Sequence, residues 1–156
     1  MLITLMLWDS GVIAAPHFYI SGYLEENKDR YIDSMRSVYK NSNWTDWCAF
    51  FMEALEQQAI RNFNTADHVQ NLYEDMKIKF RDILASKWNI NALDFVFTNP
   101  ILRNSKFTKS SGIPASTAAR FTRLLVKQEI LNEIQPGSGR RSGLYTFEPL
   151  VRLVRV

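Results

Sequence analysis

Apolar and polar positions along the chain fall into stretches of different period. Residues 1–8, MLITLMLW, are almost wholly apolar. They are too few to span a bilayer and too uniform for a surface helix, so a place inside a helical bundle is expected. The segment SGVIAAP ends that helix. From about Tyr19 to Lys40, Tyr23, Tyr31, Met35 and Val38 recur at roughly helical spacing, with Glu25, Glu26, Lys28 and Asp29 outward. NSN at 41–43 reads as a turn. Trp44, Trp47, Phe51, Leu55 and Ala59 then form one stripe at three- and four-residue steps, predicting a helix that buries an aromatic side. A further helix is predicted over about 65–86, with Val69, Leu72, Met76, Phe80 and Ile83 inward and Thr65 and Asp67 at its start. No glycine or proline stands between 23 and 99, so this body is expected to be all helix.

The last third alternates differently. NINALDFVF predicts a short helix ending before Asn99-Pro100, ILR a small strand, and NSKFTKSSG a two-turn helix closed by Gly112 in the left-handed conformation. Pro114 opens the next helix, where its missing N–H costs nothing, and that helix runs to about Gln128. ILNEI and LYTF read as strands joined by the glycine-rich loop QPGSGRRSG. This is the order of a winged helix-turn-helix. The expected fold class is mainly α: a helical body over 1–86, then a winged helix-turn-helix with a small β-hairpin over 87–156.

Charge sharpens the division. Residues 1–100 carry 9 Lys/Arg against 13 Asp/Glu, whereas residues 101–156 carry 10 against 3, giving nets of −4 and +7 within the overall +3. An anionic partner is therefore expected for the tail. Within the predicted helix at 115–128, Ala118, Phe121, Leu125 and Val126 share an apolar face. Ser116, Arg120, Arg123 and Lys127 step by four, three and four onto another. In helix-turn-helix geometry that second face enters the major groove, where an arginine can pair with a guanine edge. Ser116 and Thr117 near the helix start can bond phosphate or base, Lys106 and Lys109 can hold phosphates, and Arg140 and Arg141 at the loop tip reach backbone or minor groove. A basic face can equally be simply solvated, and the fold does not by itself choose DNA over a protein partner.

Other chemistry is sparse. The single Cys48 allows no intrachain disulfide and, in DWCAFFMEAL, is expected to be buried. His17 and His68 have no second ligand at metal spacing, so no metal site is expected. No positive residue precedes the opening apolar run and Asp9 interrupts it, so a secretion signal is not expected. No run approaches membrane-spanning length. The expected compartment is the cytoplasm, with no membrane partner.

The pieces MLITLMLW, YISGYLEENKDRYI and NWTDWCAFF resemble the Fic family, in the segment immediately downstream of its catalytic motif. That family carries a loop of the form HxFx(D/E)GNGRxxR, then an apolar helix, then YxSxYIEENRxxYY, then a tryptophan-bearing helix, and its members often end in a winged helix. The resemblance covers essentially the whole chain. It implies a parent activity of AMP transfer from ATP, with Mg, to a protein hydroxyl, and a body that is the post-motif remnant of a Fic domain. The motif itself is absent: Met1 stands where its last arginine would just have passed, and neither histidine has a matching context. No catalytic residue carries over, no cofactor is expected in this chain, and by itself it is expected not to transfer AMP. Tyr31 matches the first tyrosine of the pair that lines the family's adenine pocket, with Ile32 in place of the second. It is a candidate nucleotide-binding remnant, or a core residue.

Glu129 in KQEIL stands where the usual ELGIL has glycine. A left-handed helix end there costs a non-glycine residue about 1 kcal/mol, so a rebuilt entry to the wing is expected. Two functions stay open. One is the C-terminal, non-catalytic region of a Fic-type AMP transferase, with a winged helix that binds DNA or a partner. The other is a free-standing winged-helix transcription regulator that dimerises through its helical body. A missing motif helix would leave the apolar faces of residues 1–8 uncovered, so self-association through the body, 1–86, is expected.

Overall fold

A computed structural model describes residues 2–14, 18–139 and 141–154. The chain is mainly helical with one small antiparallel sheet, and it divides into two compact units, Met1–Asn64 and Thr65–Arg155.

The first unit holds α1 (Leu2–Asp9), α2 (Ser21–Glu26), α3 (Lys28–Asn41) and the first half of α4 (Trp44–Leu84). Its core is thin. Ile20, Tyr23, Phe50 and Ala54 are buried, with Ile3, Phe18, Leu24, Tyr31, Trp47, Phe51 and Leu55 packed partly against them. Small Ala54 is fully buried on this face of α4. Buried Gln58 continues the same face and satisfies its amide on Asn62 Oδ1 at 2.9 Å. Arg30 and Glu53 form a two-pronged ion pair at 2.9 Å and 3.3 Å, and Arg61 pairs with Glu26 at 2.7 Å while lying over the Tyr23 ring. Ser42 closes α3 in the left-handed conformation, and Asn43 Oδ1 then accepts the Asp46 N–H as α4 starts.

Several expectations for this unit are corrected. The apolar residues 1–8 do not lie inside a bundle. Thr4, whose hydroxyl donates to the Phe18 carbonyl, is the buried residue of α1, while Leu2, Leu5, Met6 and Trp8 are exposed. The most buried face of α4 runs through Phe50, Ala54 and Gln58; of the expected stripe, Trp47, Phe51 and Leu55 pack partly against that core, and Trp44 and Ala59 are exposed. Trp44 is 62% exposed. Cys48 is exposed. Apolar content misled in each case, because the short α1–α3 cover one narrow face of α4 and leave several apolar side chains in solvent.

The break expected near Thr65 does not occur, and α4 is one helix of 41 residues. A threonine can cap only where the preceding backbone leaves the helix, and no glycine or proline forces that here. The units divide between Asn64 and Thr65 because the second half of α4 completes the other core.

That second unit continues with α5 (Asn89–Thr98), β1 (Ile101–Arg103), α6 (Asn104–Ser110), α7 (Ala115–Lys127), β2 (Asn132–Gln135), β3 (Leu144–Thr146) and α8 (Glu148–Val154). The strands form an antiparallel sheet of order β1-β3-β2, with Leu102 opposite Tyr145 and Glu133 also opposite Tyr145. Met76, Phe80 and Leu84 of α4 enter a core with Leu93, Val96, Leu102, Phe107, Phe121, Leu125, Leu131 and Phe147. Gly112 takes φ +70° between α6 and α7, the left-handed turn that its sequence position called for.

Candidate nucleic-acid interface

α7 is built as an amphipathic helix. Pro114, extended at φ −52° and ψ 133°, leads into it and accepts the Ala118 N–H at 2.9 Å. Ala118, Phe121, Thr122 and Leu125 are buried; Ser116, Arg120, Arg123 and Lys127 are all exposed on the other side, and Thr117 is half-buried. The Arg120 guanidinium lies 5.2 Å from the Phe121 ring centre, and Arg123 Nε donates to the Ala119 carbonyl at 3.3 Å. Both arginines thus lie along their own helix with no carboxylate partner among the described ion pairs.

The end of α7 is closed by two bonds that run backward. The Glu129 N–H reaches the Val126 carbonyl at 3.0 Å and the Ile130 N–H reaches that of Leu125 at 2.9 Å. Glu129 takes φ +56° to permit this. The helix end is therefore kept, with glutamate held where glycine would be relaxed, rather than rebuilt. Buried Ile130 and Leu131 then lead into β2.

The remaining candidates fall in different places. Lys106 is exposed on α6, but its ammonium donates to Asn99 Oδ1 at 2.6 Å and lines a polar recess with Asn91, Asp94 and Ser110. Lys109 is exposed in the last turn of α6. Arg141 is exposed in the β2–β3 loop, where its N–H and carbonyl both bond Ser138. Arg140 lies outside the described residues. Arg123 and Lys127 meet Thr122, Val126, Glu133 and Tyr145 around a groove of about 320 Å³ between α7 and the sheet. Burial, then the Glu133 carboxylate, push the Tyr145 phenol above its ordinary value. Glu133 is an acidic group inside an otherwise basic surface, and the sequence reading passed over it.

Sequence reasoning also passed over a set of polar contacts beneath this surface. Thr122 Oγ1 donates to Asn104 Oδ1 at 2.9 Å, and the Asn104 N–H donates to the Gly143 carbonyl at 3.0 Å. Arg103 Nη1 donates to the Ser142 carbonyl at 3.3 Å, and the Ser105 and Ser142 hydroxyls meet at 2.9 Å. The only signal available beforehand was an asparagine at the start of a predicted helix.

In the first unit, Tyr31 is half-buried, its ring 5.7 Å from that of Trp47 and 6.5 Å from that of Phe50. It packs in the thin aromatic cluster. An apolar groove of about 580 Å³ lies beside that cluster, lined by Ile3, Met6, Leu7, Ser10, Trp47 and Phe51. Among the described residues no helix is long and apolar enough to cross a membrane. No protein-family model matches the chain.

Proposed function

We propose that the C-terminal unit is a winged helix-turn-helix that binds duplex DNA, with α7 in the major groove and the β2–β3 loop as the wing. The order α5-β1-α6-α7-β2-β3, with β3 central in the sheet, supports it. One observation carries it: α7 spends its apolar side on the core and leaves Ser116, Arg120, Arg123 and Lys127 exposed along one face. Such a face can supply phosphate contacts and guanine pairing together. Lys109 and Arg141 extend the basic footprint, and Lys106 joins it on release from Asn99.

The test is fluorescence anisotropy with mixed-sequence duplex at rising salt. Binding should weaken as salt rises, and Arg120→Ala and Arg123→Ala should each cost about 1–3 kcal/mol and lower the salt slope by roughly 1. Absent binding at low salt, or indifference to both substitutions, would sink the groove assignment.

The N-terminal unit we assign, on the quoted segments, to the scaffold of a Fic domain downstream of its reactive loop. The 156 residues contain no HxFx(D/E)GNGRxxR, so AMP transfer from labelled ATP by this chain alone would overturn that assignment. A second role is favoured by the exposed Leu2, Leu5, Met6 and Trp8, which suit self-association. In that form the chain is a DNA-binding regulator that dimerises through its helical body.

A further inference from the structure

A DNA reader with a helix and a wing must hold the two at a fixed separation. Otherwise each binding event spends free energy on ordering them. In this chain the loop over 136–143 joins β2 to β3, and Gly137, Gly139 and Gly143 give it little stiffness of its own. Besides the shared apolar core, a polar link between its base and α7 runs through the short segment 103–105 at the start of α6. Thr122 is on the buried side of α7, 3% exposed, and its hydroxyl has two acceptors, the Ala118 carbonyl at 3.2 Å and Asn104 Oδ1 at 2.9 Å. Asn104 therefore receives α7 with its side chain while its backbone N–H grips Gly143 at the base of the wing. Arg103 and Ser105, its two neighbours, both bond Ser142, the residue next to Arg141. Asn104 thus bonds both proposed DNA-contacting elements, and its two neighbours fix the same segment to the wing.

We propose that Asn104 is a positioning residue for nucleic-acid binding: with Thr122, Ser105 and Ser142 it clasps α7 to the wing and presets the placement of Arg141 relative to Arg120 and Arg123. This rests on the DNA-binding reading above. Asn104 is a neutral residue, half-buried, and its assigned bonds are all internal to the protein. Its removal should loosen the geometry and leave the count of phosphate contacts as it was.

That difference supplies the experiment. Anisotropy titrations with mixed-sequence duplex are run over a salt series for the full chain and for Asn104→Ala, Thr122→Val, their double variant, Thr122→Ser, Ser105→Ala and, as the phosphate-contact control, Arg120→Ala. Asn104→Ala and Thr122→Val should each weaken binding by about tenfold, as expected for one tethering hydrogen bond. The double variant should be no weaker than either single one, because both cut the same contact. Thr122→Ser, which keeps the hydroxyl, should bind as the parent does. The salt slope should stay at the parental value in all of them, whereas Arg120→Ala lowers it. Ser105→Ala alters an exposed residue and keeps the test open should a core variant fold poorly; it should bind more weakly, again with the slope unchanged. Equal affinity in every variant overturns the clasp and leaves the DNA reading standing. A fallen slope in Asn104→Ala also overturns it, since the residue would then serve a phosphate contact. A parent chain without salt-sensitive binding overturns both.

Discussion

The two units contain similar chemistry and use it differently. Among the described residues, the C-terminal unit gathers seventeen buried residues into one core cluster and the N-terminal unit gathers four, although three of the four tryptophans lie in the latter. Apolar content is therefore a poor guide to burial. A side chain is buried only when a second element offers a matching face, and α1, α2 and α3 are too short to cover the aromatic sides of α4. In the other unit, α4, α5, α6, α7 and the sheet converge on Phe80, Phe107, Phe121 and Phe147, each fully buried.

The strongest way to break this comparison is to truncate one aromatic in each core. Phe121→Ala should cost about 3–5 kcal/mol, because the surrounding elements cannot collapse into the space. Phe50→Ala should cost well short of that, since Phe50, though itself buried, sits among neighbours that are mostly only partly buried. Urea unfolding is the measurement. Tryptophan fluorescence, dominated by Trp8, Trp44 and Trp47, should report a transition at lower urea than the helical circular dichroism does. One coincident transition, with equal losses for both variants, would erase the distinction between the units.

A second probe uses the uncovered surface. Met6 is 61% exposed beside the α1–α4 groove, and Met6→Glu should weaken self-association at least about tenfold in sedimentation analysis. A parent chain that stays monomeric at high concentration would show that exposure here has no such consequence.

Next in size is a gain. Glu129 at φ +56° occupies a conformation that glycine adopts freely, so Glu129→Gly should stabilise the C-terminal unit by about 1 kcal/mol and leave Phe50-side signals unmoved. A loss of stability instead would mean that the glutamate side chain makes a compensating contact.

The smallest expected effect is alkaline. A hydrogen bond to Asp94 at 2.6 Å, with burial and the carboxylate's charge, pushes the Tyr73 phenol up to about 12. A folded value above the unfolded one means stability that is fully present below about pH 10 and lost as pH rises from there towards 12. Tyr73→Phe should flatten that part of the stability profile of the C-terminal unit. An unchanged profile would remove Tyr73 from the account.

How far the sequence was legible follows the same divide. In α7, a face of Ala118, Phe121 and Leu125 against one of Ser116, Arg120, Arg123 and Lys127 specified orientation, because each position had a clear preference for core or solvent. Gly112 and Pro114 marked their turn for stereochemical reasons that act locally. Trp44, Cys48 and the residues of α1 carried no such information. Their burial depends on whether distant elements cover them, and periodicity is silent on that. Thr65 and Asp67 imitated a helix start, yet capping chemistry without a backbone breaker leaves a helix intact. The Thr122–Asn104 contact was hidden because a threonine on an apolar face reads as filler until its acceptor is seen.

The exposed thiol of Cys48 has a practical side. As the sole cysteine, it offers one attachment point for a maleimide dye or spin label, in the N-terminal unit, without altering the chain. The same sulfur can cross-link two copies under air, so a band of doubled mass on a non-reducing gel would report oxidation of stored material rather than affinity between chains.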